Sequence, residues 1–61
     1  MSIARKVFEE CMKKDCPSNA LSECGKEQSR DQDWENETTT YHFEDGSSIE
    51  DCYPYLTVKE L

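Results

Sequence analysis

Between residues 31 and 51 the chain carries neither lysine nor arginine, and its 61 residues include one histidine, two glycines and two prolines. It also lacks any apolar stretch approaching the roughly 20 residues of a membrane span. Each absence closes off a class of function. Acids outnumber bases 14 to 7, for a formal net charge of −7; phosphate binding depends on Lys and Arg, so direct nucleic-acid binding is excluded as an expectation. A nucleophile requires a base and the base an orienting group, so a single histidine leaves catalysis without support and the chain reads as non-enzymatic. The opening "MSIARKVFEECMKK" has no apolar core of the kind that drives export. A cytoplasmic location, reduced thiols and no membrane partner are the expectations.

What is present is small and highly charged. Hydrophobic residues make up 34% of the chain and charged residues another 34%. A chain of this length buries only about 60% of the surface its unfolded form exposes, so one small domain over residues 1–61 is expected, with thiols, a metal or a second copy as common aids to such a core.

Residues 3 to 14 predict an amphipathic helix. Ile3, Ala4, Val7, Phe8, Cys11 and Met12 fall on one face at i, i+3/i+4 spacing, with Arg5, Lys6, Glu9, Glu10 and Lys13 opposite. Ser2 suits the N-cap and Pro17 ends the helix at about residues 14 to 16. Ile3, Val7, Phe8 and Met12 form the stripe through which a homodimer would assemble. One or two further helical turns are expected after Pro17, capped by Ser18 or Asn19 and broken at Gly25. "DQDWENE" (31 to 37) has no period and reads as a loop or the lead-in to a strand, pinned to the core by Trp34.

"TTTYHFEDGSSIED" reads as a β-hairpin. A plain two-residue Asp-Gly turn would set Phe43 opposite Ser48 and Tyr41 opposite Glu50. A turn over Glu44 and Asp45 with Gly46 left-handed as a bulge sets Tyr41 opposite Ile49 and Phe43 opposite Ser47, gathering one apolar face, and is preferred. Tyr53, Tyr55, Leu56, Val58 and Leu61 suffice for a third strand or extended tail, with Pro54 at an edge or bend. The expected fold is therefore α+β, with the first helix on a two- or three-stranded antiparallel sheet.

The acidic region fails as a calcium loop. Started at Asp31, an EF-hand pattern puts Asn36 where glycine is needed and His42 where the final glutamate belongs; registered on Gly46, it puts Cys52 at that last position. Zinc fares little better, since four, seven and twenty-seven residues separate successive members of the set Cys11, Cys16, Cys24 and Cys52. No metal or cofactor is expected. Cys11 sits in the apolar stripe as a small buried hydrophobe, whereas a disulfide or zinc clip involving Cys16, Cys24 and Cys52, including a Cys24–Cys52 disulfide, is the competing reading of the whole chain as a cysteine-stabilised structural or redox-responsive mini-protein. His42, inside a strand, points away from Tyr41 and Phe43.

Charge layout carries the functional expectation. Asp31, Asp33, Glu35, Glu37, Glu44, Asp45, Glu50 and Asp51 lie in one segment without a base. As a docking surface they would meet a basic partner protein, steering association and imitating the phosphates of a nucleic acid as an inhibitor would. The bland alternative is a solvated face that keeps a small protein soluble.

Overall fold

The computed structural model describes residues 2–52 and 55–60. Ser2 is extended, and its hydroxyl oxygen accepts from the Arg5 N–H at 3.1 Å, satisfying one of the amides that a helix start leaves unpaired. The helix it opens, α1, spans Ile3–Met12 and turns Ala4, Val7 and Cys11 inward. It stops two residues short of the expected position 14. The Lys13 and Lys14 amides reach back only three residues, to the Glu10 and Cys11 carbonyls at 3.2 and 3.0 Å, and this tightened last turn redirects the chain.

A second helix, α2, spans Pro17–Cys24. Cys16 is held extended by the proline that follows it. Pro17 takes the first helical position, where its missing N–H costs no hydrogen bond. The cap residue is thus Cys16, not the predicted Ser18 or Asn19, which lie within the helix. Gly25 ends α2 at φ +66°, a left-handed cap that glycine adopts without Cβ strain.

Four strands follow as an antiparallel meander in the order β1-β2-β3-β4: β1 Ser29–Asp33, β2 Thr38–His42, β3 Ser48–Cys52 and β4 Tyr55–Lys59. The β2–β3 hairpin has the bulged register. Tyr41 pairs with Ile49, the Phe43 N–H donates to the Ser47 carbonyl at 2.9 Å, and Gly46 has φ +91°. The third strand predicted from the tail is β4; Tyr53, Pro54 and Leu61, assigned to it or its bend from sequence, lie outside the described residues.

β1 begins two residues before the segment read from sequence as a loop or the lead-in to a strand. "SRDQD" contains no apolar residue and is exposed throughout, so it forms as an edge strand on main-chain pairing with β2 and on Arg30, whose guanidinium lies 4.7 Å from the centre of the Tyr41 ring. Residues 34–37 make the turn. The Asp33 carboxylate accepts from the Glu35 and Asn36 amides at 3.1 and 3.3 Å and from the Asn36 side chain at 2.8 Å, and Glu37 takes φ +52°. Trp34 therefore sits at a hairpin tip with 79% of its surface exposed, not against the core, because a four-residue turn projects its side chains beyond the sheet.

Both helices pack on one face of the sheet, over β3 and β4. The buried cluster is Ala4, Val7, Cys11, Leu21, Tyr41, Phe43 and Ile49, with Leu56 and Val58 against it. Polar contacts fasten the start of α1 to the β2–β3 turn: the Ile3 N–H donates to Asp45 Oδ2 at 2.9 Å and the Ala4 N–H to Ser47 Oγ at 3.1 Å. Glu60 returns to the same helix end, accepting from the Ser2 hydroxyl at 2.6 Å and from Arg5 at 3.1 Å. The radius of gyration, 10.4 Å, agrees with the roughly 10.5 Å expected of a close-packed chain of this length.

Candidate functional site

Strand alternation divides the acidic segment between two sides of the sheet. Asp31 and Asp33 share a face with Thr40 and Thr38, their partners across the ladder, and Glu50 stands opposite Thr40 on the same face. This is the face away from the helices. Glu35 and Glu37 belong to the β1–β2 turn and Glu44 and Asp45 to the β2–β3 turn. Asp51 is on the helix side, where it accepts from the Ser18 hydroxyl at 3.1 Å. The eight carboxylates therefore do not form one patch: Asp31, Asp33, Glu35, Glu37 and Glu50 border the open side and the β1 edge, Glu44 stands on the second turn, and Asp45 and Asp51 face α1 and α2.

Hydrogen bonding sorts them further. Asp45 organises the fold, its two oxygens accepting from the Ile3 amide and from the Ser47 amide and hydroxyl; these bonds, that from the Ser47 hydroxyl first, hold its carboxyl below its ordinary value. Asp33 is held low in the same way by Asn36. Asp31 meets His42 Nε2 at 2.8 Å, and Glu50 meets Lys59 at 3.0 Å across the open face. The side chains of Glu35, Glu37 and Glu44 have no hydrogen-bond partner among the described residues.

The stripe expected to pair two copies is used unevenly. Val7 lies in the core of its own chain, Ile3 and Phe8 pack half-buried against that core, and Met12 keeps 54% of its surface exposed. The thiols are all free. Cys52 shares the open face with Glu50, whereas Cys24 packs on the helix side, so the sheet lies between the two cysteines considered for a clip. Among the described residues no group of three or more His, Cys, Asp or Glu side chains is placed to hold a metal ion, and no helix is long and apolar enough to cross a membrane.

One cluster went unread in the sequence. Arg30 donates to the Glu27 carboxylate and to the Ser22 carbonyl, the latter at 3.2 Å, while its plane covers Tyr41. Only 10% of the Glu27 side chain is exposed. Burial favours its protonated form, but the bonds from Arg30, a backbone amide and the Cys24 thiol prevail and keep the carboxyl below its ordinary value. The i, i+3 spacing of opposite charges in "EQSR" was the available signal. Comparison of the chain with protein-family models, with curated proteins and with solved structures finds no match.

Proposed function

We propose that the protein is a non-enzymatic binding module that offers the β1 edge, the β1–β2 and β2–β3 turns and the open face of the sheet to a basic surface of a partner protein. The supporting observation is the placement of Glu35, Glu37 and Glu44: exposed, without hydrogen-bond partners among the described residues, and on turns whose shape is fixed by Asp33 and by Asp45. Carboxylates on braced turns keep their spacing, so less ordering entropy is lost on binding than from an acidic tail. Trp34 stands beside Glu35 with its ring uncovered. Aromatic and arginine side chains dominate the energetics of many interfaces, and an arginine of the partner would meet both the ring face and the adjacent carboxylates.

Opposite charges across such an interface act chiefly on the association rate and are weakened by salt. The test is affinity capture from cell extract with the native chain and with a Glu35→Lys, Glu37→Lys, Glu44→Lys variant whose fold is verified by circular dichroism. A basic protein released from the native chain by moderate salt, and not retained by the variant, supports the proposal. Equal retention by the two chains removes it.

A further inference from the structure

Three of the four cysteines border one feature. An open groove of about 560 Å³ between the end of α1 and α2 is lined by Cys11, Cys16 and Cys24, with Glu10, Lys14 and Glu23 at its rim. Two observations bring the end of α2 close to the part of α1 that carries Cys11. Lys26, two residues past the end of α2, reaches Glu10 at 3.2 Å, which brings the exit of α2 to the turn of α1 that carries Cys11. Cys24 also packs against the buried cluster to which Cys11 belongs. Burial pushes the Cys11 thiol above its ordinary value, and the proximity of Cys24 adds to this.

We propose that this groove is a thiol–disulfide exchange site in which Cys24 meets an incoming low-molecular-weight disulfide and Cys11 resolves it, leaving a Cys11–Cys24 bond that clips α1 to α2. Exposure assigns the order. Cys11 is 3% exposed and out of reach of an external disulfide, whereas Cys24 is partly exposed. The Cys24 thiolate attacks one sulfur of glutathione disulfide, forming a mixed disulfide and releasing one glutathione thiolate. The Cys11 thiolate then attacks Cys24 Sγ, forming the internal bond and releasing the second glutathione. Each protein thiol gives up one proton and each released glutathione thiolate takes one up, so that the protein pair is oxidised by two electrons, glutathione disulfide is reduced to two thiols, and no net proton is released. Cys52, on the open face of the sheet, has no thiol beside it and would stop at the mixed disulfide.

The reduced, folded chain is equilibrated with glutathione disulfide, free thiols are trapped by alkylation, and the products are mapped by mass spectrometry. The expected product has lost two hydrogens, retains no glutathione in the groove and is linked Cys11 to Cys24; a Cys16→Ser, Cys52→Ser variant still forms it. In Cys11→Ala glutathione stays on Cys24, and in Cys24→Ser, Cys11 remains a free thiol. Two results overturn the proposal: glutathione persisting on Cys24 of the native chain while Cys11 stays open to alkylation after unfolding, or the same distribution of linkages in concentrated urea as in buffer. The acidic surface is not involved, so the outcome is independent of partner binding.

Discussion

Asp45 shows how one side chain joins two elements. Its carboxylate ends the β2–β3 turn by accepting from Ser47 and at the same time accepts from the first amide of α1, where the helix dipole also favours negative charge. Because hydrogen bonding lowers its folded pKa from the ordinary 3.8, the unfolded chain binds a proton more readily. Its stabilising contribution is therefore complete above about 3.8 and disappears as pH falls through the lower folded value. Urea melts of Asp45→Asn from neutral pH downward should show a shallower loss of stability in acid than the native chain; superimposable pH profiles would contradict this role. Ser47 is the partner inside the fold, 2% exposed, and Ser47→Ala strands the buried Ala4 amide, an expected loss of about 1–3 kcal/mol by chemical denaturation. Residue identity also explains one misreading. A large aromatic such as Trp34 is expected in the core, yet the turn geometry that exposes it comes from Asp33 and Asn36, polar neighbours that signal no burial direction.

At the scale of elements, what was legible was what repeats. The 3.6-residue spacing of Ala4, Val7 and Cys11 gave α1, and the alternation of Tyr41 and Phe43 against Ile49, with Gly46 as the bulge, gave the β2–β3 register. The strand β1 was illegible because "SRDQD" carries no apolar period; its place is set by hydrogen bonds to β2 and by Arg30 stacking on Tyr41, and neither is visible until β2 has formed. The candidate site was half legible for the same reason. The run of carboxylates is plain in sequence, but which of them the fold uses depends on faces, and only strand assignment separates Glu50 from Asp51. Helix ends offer a clean check. Gly25 is left-handed and an added Cβ there meets nothing within 4 Å, so Gly25→Ala should cost only the backbone term, about 1 kcal/mol in a denaturant titration. A loss of several kcal/mol would mean that packing, not conformation, requires the glycine.

For the whole molecule, margins are narrow. A chain of 61 residues is expected to have a stability of roughly 3–9 kcal/mol, and Ile49, fully buried at the centre of the sheet, should lose about 2–5 kcal/mol as Ile49→Ala, a large share of that margin. A net charge of −7 opposes compaction, so the melting temperature of the native chain should rise as salt increases from low to physiological strength, and the Glu35→Lys, Glu37→Lys, Glu44→Lys variant should show a smaller rise. The proposed function assigns to binding the same carboxylates that weaken the isolated chain. The most direct measurement is an amide NMR footprint of the isotopically labelled chain titrated with the basic protein recovered by capture. Binding through the acidic side predicts shifts confined to residues 31–37, Glu44 and Glu50, with α1 unmoved. Shifts centred on Met12 and the exposed side of α1, with the β1–β2 turn silent, would contradict it.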